Sequence, residues 1–475
     1  MAVTILILLN SSKFPRTRKA LLMRRFIRIV VFCSAMVLSK TYAEELQWPS
    51  FLGAGKSSIE EGSLPITWGV KQNKAWEVDL PGHGQSSPVI FGNHIFVTAI
   101  SGNMKDLNHV IMLNLQTGDQ EWIFSKPTSN KAKNSVYISR AAPTPTVDKD
   151  GLYAFFESGD ILALSFVGDE LWSRCLTDTY GPIQSEFGIA ASPVQHEDRL
   201  VFLVDNDSKS YLVALSKKDG HTLWCSTREN RTSWSSPAIV TLDGKAQIIC
   251  SSAGSIDSYD IEDGSLLWSF EHVSGNTVAT PLDYGTNAIL IGASAGRDGG
   301  NAKQAQESNM VLTAKRVDGI WKPEKLWAAE KANSSFGSPL YSDGNVYWVN
   351  RAGVVFCCDF KTGKQCYSQR ITQSCWATPL TVGDRIYFFG KSGITDVVET
   401  GPEFKLLSSN ELWDSEDEKI DSKLIDSETE EERKASARMF AGRVQYGIAA
   451  VTGSLIIRTG DKLFCIRKEL SGQNP

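Results

Sequence analysis

The 475-residue chain has an average content of apolar residues, many glycines and aromatics, and a formal net charge of −5 at neutral pH. This composition excludes bulk intrinsic disorder, which requires few hydrophobic residues. The acidic balance also argues against nucleic acid or an anionic membrane surface as partner, because both are polyanions.

The first 43 residues differ in composition from the rest of the chain. They contain eight Lys or Arg and no acid, so the remainder carries a formal charge of −13. A basic segment precedes an apolar run over residues 27–38, and small residues lead to Ala43. This order predicts a signal peptide cleaved near Ala43, with residues 1–22 as an upstream extension if Met23 is the start. The alternative is an uncleaved N-terminal anchor.

A signal peptide predicts that the protein is periplasmic or secreted, with no transmembrane segment beyond the signal itself. Export permits disulfides, but the spacing of the eight cysteines after the leader does not assign any pair. No C-x-x-C occurs among them, which argues against a zinc ribbon or a thioredoxin-type site.

Residues 44–63 form a lead-in segment, after which one pattern recurs along the chain. It reads SSPVIFGNHIFVT and VIMLNLQTGDQEW over 86–122, and it returns as YLVALSKKDGHTLW over 211–224. Each unit opens with a small residue before Pro, alternates apolar residues in short runs, and closes on an aromatic residue. Such runs, joined by D-G or T-G turns, predict antiparallel hairpins.

The opening and closing residues of the units mark seven repeats. They recur at intervals of roughly 40 to 60 residues, the size of a four-stranded propeller blade. The opening prolines are Pro88, Pro143, Pro193, Pro237, Pro281, Pro339 and Pro379, and the closing aromatics are Trp122, Trp172, Trp224, Trp268, Trp327, Tyr367 and Trp413. We expect each closing ring to be buried between neighbouring blades.

The two ends of the repeat region complement each other. Residues 446–466 read as three strands without a closing Trp, whereas residues 64–78 carry Trp76 without preceding strands. The sequence therefore predicts an all-β, eight-bladed propeller of four-stranded antiparallel blades over residues 64–470, closed by the N-terminal strand pairing with the C-terminal three. Such closure leaves no open sheet edge in the ring. Residues 471–475 remain as a tail.

Two insertions interrupt the repeat. Residues 295–309 are polar and rich in glycine, and residues 414–440 are acidic and lack turn residues. We interpret the second insertion as an exposed helix or excursion between blades seven and eight, with a docking site for a basic partner as the alternative. The short acidic motif Asp205-Asn206-Asp207 is interpreted as a polar hairpin tip rather than a calcium loop.

The closing motifs LNLQTGDQEW, ALSKKDGHTLW and YDIEDGSLLW resemble the repeat of PQQ enzymes. The segment WPSFLGAGKSSIEEGSLPITW over 48–68 resembles the start of exported PQQ-like propeller proteins common in planctomycete-type bacteria. The same repeat is shared by BamB-like outer-membrane assembly scaffolds and by quinoprotein alcohol dehydrogenases. The resemblance implies the fold and leaves the activity open, because function depends on the site.

In the quinoprotein enzymes of this family, PQQ lies on a calcium ion beside an Asp base, often with a vicinal disulfide. Cys357-Cys358 here lies in VVFCCDF, where neighbouring side chains of a strand point to opposite faces. The calcium carboxylates of the family do not map onto this sequence. We therefore expect no catalytic residues, no metal site and no cofactor, and retain PQQ with calcium as the alternative.

The residue three positions before each opening Pro is expected to enter the central channel. The candidate ligand-binding residues at the channel mouth are Gln85, Arg140, Glu186, Trp234, Phe336, Trp376 and Tyr446. Their aromatic rings could stack on a flat or saccharide ligand, and Arg140 could bind an anion. The alternative, which we favour from sequence, is an axis filled by side chains.

Together these features predict an exported, non-catalytic binding or scaffold protein. We expect a monomer that binds another exported protein or a polymer. The first alternative is a PQQ- and calcium-dependent quinoprotein oxidoreductase, and the second is a carbohydrate-binding propeller.

Overall fold

The computed structural model describes most of the chain after the predicted leader. The described residues are 47–60, 64–273, 278–283, 285, 287–295, 302–414, 425 and 431–469. The predicted leader (1–43), part of each insertion and the tail (471–475) lie outside the described residues.

The first four blades are antiparallel sheets whose strands follow one another along the chain from the inner to the outer strand. In blades 1 and 2 the strands are Val89–Phe91, His94–Ser101, Leu107–Asn114 and Gln120–Pro127, then Thr146–Asp148, Gly151–Phe155, Asp160–Leu164 and Glu170–Cys175. In blades 3 and 4 they are Val194–His196, Arg199–Val204, Tyr211–Ser216 and Thr222–Thr227, then Ala238–Leu242, Lys245–Ser252, Gly254–Asp260 and Leu266–Val273.

Blades 5 to 7 repeat this order. Their strands are Leu282–Asp283, Ile289–Ile291, Met310–Val317 and Ile320–Ala328 in blade 5, Leu340–Ser342, Asn345–Val349, Val354–Asp359 and Gln365–Arg370 in blade 6, and Leu380–Val382, Arg385–Phe389, Ile394–Glu399 and Leu406–Glu411 in blade 7. Within the described residues three short helices accompany the strands: α1 (Leu176–Tyr180), α2 (Ala302–Glu307) and α3 (Glu431–Ala441).

Blade 8 confirms the predicted closure of the ring. Its inner three strands are Gly447–Val451, Ser454–Arg458 and Lys462–Ile466, and its outer strand is Lys74–Asp79. The outer strand pairs antiparallel with Lys462–Ile466, with Trp76 opposite Cys465. The hydrogen bonds between the two ends of the repeat region therefore hold the ring closed.

The lead-in segment adds contacts on both sides of blade 8. The strand Gln47–Trp48 joins the sheet of blade 1, and Ser58–Ile59 runs parallel to the inner strand of blade 7. Ser57 Oγ donates to the carbonyl of Pro379 at 2.6 Å. Just after this segment, Trp68 stacks on Tyr387 with ring centroids 6.1 Å apart. These contacts reinforce the place where the N-terminal strand completes the ring.

The predicted burial of closing aromatics between blades has a specific geometry. Trp172 of blade 2 donates its indole N–H to the carbonyl of Lys217 in the next blade at 2.8 Å. The same bond joins Trp76, Trp122, Trp224 and Trp327 to the carbonyls of Leu115, Phe166, Ile261 and Phe360. Gly220, with a φ of +72°, lies against the Trp172 ring, where a Cβ would come within 2.6 Å of Cε3. The turn glycine of the repeat is thus needed both for its backbone conformation and for space.

One closing aromatic was assigned to the wrong position. Trp413 follows the outer strand of blade 7, and the register places Ser408 opposite Val397, where the other blades have their aromatic. In the next blade the third and outer strands come from opposite ends of the chain, so no turn joins them. That blade therefore has no turn glycine on which an indole ring could pack. Ser408 Oγ instead donates to the carbonyl of Ile66, which precedes the outer strand of blade 8, at 2.5 Å.

Candidate functional site

A cavity of about 1730 Å³ lies at the axis of the propeller. Of the residues three positions before the opening prolines, those that line it are Gln85, Ala190, Trp234, Val278, Phe336 and Trp376. The cavity therefore opens among these residues and extends along blade 4 to Ser269 and Glu271 of its outer strand. The preference for an axis filled by side chains along its length stays a prediction.

Aromatic rings line two parts of the cavity wall. Phe336 and Trp376 of blades 6 and 7 lie with ring centroids 5.3 Å apart. On the opposite side, Phe187 and Trp234 are 5.9 Å apart. The Lys391 ammonium lies 4.8 Å from the centre of the Trp376 ring, a distance at which a cation is attracted to the ring face. The wall therefore offers flat apolar surfaces beside a cation.

Helix α3, from the acidic insertion, packs on the rim of this cavity. Phe440 contacts Tyr137 and Trp376, with ring centroids 5.1 and 5.5 Å apart. Tyr137 Oη donates to the carbonyl of Arg433, and the Arg433 guanidinium pairs with Glu186. Ala437 on the same face of the helix is fully buried. This part of the insertion is a helix whose side chains at 431 and 434–436 are exposed, as the first of the two interpretations expected. Its packed face, with Ala437 and Phe440, bridges loops of different blades.

The wall between blades 3 and 4 carries a network of buried charges. Arg228 is fully buried and pairs with Asp205 at 2.8 Å and with Asp257 at 3.2 Å. Arg231 donates to Asp257 at 3.0 Å. Burial alone would lower the pKa of Arg228, and the neighbouring Asp205 carboxylate more than offsets this and holds it well above its usual value. The motif 205–207 lies in the turn between the paired strands Arg199–Val204 and Tyr211–Ser216, which confirms the predicted hairpin tip. Within this turn Asp205 is buried as an ion-pair partner, whereas Asp207 is exposed.

The predicted site residues divide into three groups. Gln85, Trp234, Phe336 and Trp376 line the cavity together. Glu186 lies at the rim, paired with the helix residue Arg433. Arg140 is buried behind the wall, and Tyr446 lies edge-on against His83, with ring centroids 6.2 Å apart. Trp234, Phe336 and Trp376 therefore share one cavity, whereas Arg140 and Tyr446 lie outside its lining.

Sequence reasoning missed Tyr137, Arg231, Asp257 and Phe440. The spacing of Arg433, Ala437 and Phe440 by four and three residues is the signal for one face of a helix, and could have indicated the docking of α3. No comparable signal exists for the ion network, because its members come from different strands and loops.

The carboxylate of Asp257 in the cavity wall, where a calcium-bound quinone would need free oxygens, is already engaged. Asp257 accepts hydrogen bonds from Ser255 and Ser269 at 2.8 and 2.7 Å, in addition to its ion pairs with two arginines. Calcium requires six to eight oxygen ligands, most of them anionic or carbonyl. Within the described parts of the chain, no three His, Cys, Asp or Glu side chains lie close enough to hold a metal ion. Cys357 and Cys358 are separate buried thiols in the third strand of blade 6.

Comparisons with known proteins agree with the repeat. A family model described as outer membrane protein assembly factor BamB matches residues 71–182 and 182–297. The BamB of Alkalilimnicola ehrlichii is 24% identical over 211 residues, which are 44% of this chain and 49% of that protein. The chain thus spans about half the length of the curated relatives it matches.

Two solved structures share the fold. BamB from Moraxella catarrhalis superposes with a TM-score of 0.55 at 12% identity, covering 83% of this chain and 99% of that one. A quinohemoprotein alcohol dehydrogenase from Pseudomonas putida superposes with a TM-score of 0.53 at 11% identity, covering 92% and 82%. No described helix is long and apolar enough to cross a bilayer. The repeat matches cover residues 71–297, slightly less than half of the chain. Together with the eight blades and the Trp–Gly contacts between blades, they support placing the chain in the PQQ-repeat β-propeller family.

Proposed function

We propose that this protein is an exported, non-catalytic scaffold that binds another exported protein through the loop face around its axial cavity. The observation that carries the proposal is the packing of helix α3 on this face. The rim already accommodates a helical segment of polypeptide, with Phe440 placed between Tyr137 and Trp376. Helices bound in grooves commonly use such a spaced set of side chains.

The composition of the loop face suits a protein partner. Large aromatic rings are the residues most often responsible for binding energy at protein interfaces. Phe336 and Trp376 offer such rings beside the cationic side chains of Lys391 and Arg351. An occupant with apolar anchors and some negative charge would be complementary to this part of the wall.

The relatives give independent support. The matched family and the curated relatives are named as outer membrane protein assembly factors. A scaffold role in the periplasm would agree with the predicted signal peptide at residues 1–43.

The proposal can be tested by site-specific crosslinking in the native host. A photoreactive amino acid is placed at Phe336 in the cavity and, as a control, at Leu223 on the exposed outer strand of blade 3. We expect one discrete crosslinked envelope protein from position 336, which weakens when Trp376→Ala is introduced. Crosslinks that are absent from position 336, or equal at both positions, would contradict the proposal.

The open aromatic wall also favours a second candidate function, the binding of a carbohydrate. Sugar rings stack on Trp faces, and polar groups of Asn333 and Arg351 line the same cavity. A panel of envelope glycans, assayed by tryptophan fluorescence, distinguishes the two candidates. Saturable binding that is lost in Trp376→Ala, without a crosslinked protein, would favour the carbohydrate.

A further inference from the structure

A second group of polar side chains, outside the aromatic wall, lies where blades 8, 1 and 2 meet near the axis. Segment 83–85 runs between Arg140 and Arg458. Gln85 exchanges hydrogen bonds with Arg140, through its backbone N–H to the Arg140 carbonyl at 3.0 Å and its side-chain Oε1 to the Arg140 N–H at 2.9 Å. Gly84 lies against the guanidinium of Arg458, and a Cβ there would come within 2.2 Å of Nη2. His83 is thus flanked by two arginines.

The two arginines are buried without an ion-paired carboxylate. Arg458 has no exposed surface, and Arg140 is 5% exposed. The nearby carboxylate of Glu157 accepts from the N–H of Ala141 and pairs with Lys105. Arg458 donates to the carbonyls of Ser86 and Thr98 at 3.1 and 2.5 Å and to the Ser86 hydroxyl, and its Nε has no partner. Among the described residues neither arginine has an ion pair, whereas the buried Arg228 has two. Burying an unpaired charge costs several kcal/mol, so this cluster differs from the other buried charges of the chain.

The Arg140 side chain also has no hydrogen bond to any described residue. Its Nε is buried and without a partner, as are Nε2 of His83 and Oγ of the adjacent Ser139. Ser139 and Gln85 line the axial cavity, so the cluster lies directly behind the cavity wall. Burial, followed by the charges of Arg140 and Arg458, lowers the pKa of His83, as expected beside uncompensated positive charge.

We propose that His83, Arg140 and Arg458 form an oxyanion-binding site that takes the carboxylate or phosphate group of a small ligand from the axial cavity. Arginine donates two parallel hydrogen bonds to either group, and the hydroxyl of Ser139 and the amide of Gln85 add uncharged donors at the wall. The site does not depend on the scaffold role, because it involves neither α3 nor the aromatic wall.

Isothermal titration of the purified chain with inorganic phosphate, and separately with malonate, tests the proposal at an ionic strength held constant with sodium chloride. We expect saturable binding of at least one anion, and which one binds identifies the class of group. Arg140→Gln should weaken it about tenfold or more, because it removes charge-assisted hydrogen bonds. Arg370→Gln removes the same charge from an exposed position on the outer strand of blade 6, and should leave the affinity unchanged.

Two further measurements keep the test decisive. Arg140→Lys keeps the charge but loses the planar fork, so it should fold and bind less tightly even if Arg140→Gln does not fold. In chloride alone, Arg140→Gln should melt no lower than the wild type, because it removes an unpaired buried charge. The proposal is overturned if neither anion binds saturably at millimolar concentrations, or if Arg370→Gln weakens binding as much as Arg140→Gln.

Discussion

The contact between Trp172 and Gly220 allows the stabilisation between blades to be measured. Replacing Gly220 by Ala has two separate effects. The φ of +72° is unfavourable for any residue with a Cβ, at a cost of about 1 kcal/mol. The new Cβ would also lie 2.6 Å from the Trp172 ring, and such overpacking costs about 1 to 3 kcal/mol more. We therefore expect Gly220→Ala to destabilise the protein by about 3 kcal/mol.

The corresponding hairpin of blade 5 supplies a matched control. Gly319 has a φ of +82°, but nothing lies within 4 Å of the place where its Cβ would be. The preceding Trp268 donates instead to Gln247 of its own blade at 2.9 Å. Gly319→Ala should therefore cost only the backbone strain, about 1 kcal/mol.

Thermal unfolding followed by circular dichroism measures the difference. At about 2 °C per kcal/mol for a large domain, we expect a fall of about 6 °C for Gly220→Ala and about 2 °C for Gly319→Ala. In a Trp172→Ala background, Gly220→Ala should cost no more than Gly319→Ala, because the ring it would strike is gone. Equal effects of the two single variants, or an unchanged cost in that background, would refute the steric explanation.

Three further outcomes follow from the site. Phe440→Ala should release α3 from the rim and speed amide exchange across Glu431–Ala441 by mass spectrometry; unchanged protection would show that Phe440 does not anchor the helix. Asp205→Asn leaves Arg228 without its main counterion and should cost about 3 to 5 kcal/mol in denaturant unfolding, with part of the loss recovered on adding Arg228→Met; a loss below 1 kcal/mol would contradict the network. Burial and the charges of two arginines lower the pKa of His83. Below about pH 6.5 the unfolded chain therefore binds a proton that the folded chain does not, and the free energy of unfolding decreases as the pH is lowered. His83→Gln should flatten that fall between pH 6.5 and 5, about the ordinary titration range of His, and an unchanged slope would assign it to other groups.

The quinoprotein alternative has its own test. We expect PQQ with calcium to cause no saturable change in tryptophan emission or melting temperature. The reason is that the carboxylate of Asp257 already accepts hydrogen bonds from two serines and forms ion pairs with arginine. Trp234 and Trp376 line the cavity and would report a ligand there. Saturable micromolar binding would instead justify an assay of alcohol oxidation.

The blades and the closure of the ring could be predicted because their determinants are local and repeated. Alternating apolar runs and glycine turns specify hairpins, and five of the closing Trp residues pack on the turn glycine of the next blade. The missing Trp at residues 446–466 and the extra Trp76 were enough to pair the two ends. The exception, Ser408, occurs where the repeat itself is broken by that pairing.

The state of the axis and the composition of the site were decided only by the tertiary structure. Whether a channel is filled depends on the combined volume of side chains from all eight blades, which no single repeat contains. The ion network of Arg228 and the unpaired Arg140 likewise depend on which charges meet across loops far apart in sequence. The sequence by itself therefore determined the fold through local periodicity, whereas the cavity, its helix and its charges arose from the packing of distant segments around one axis.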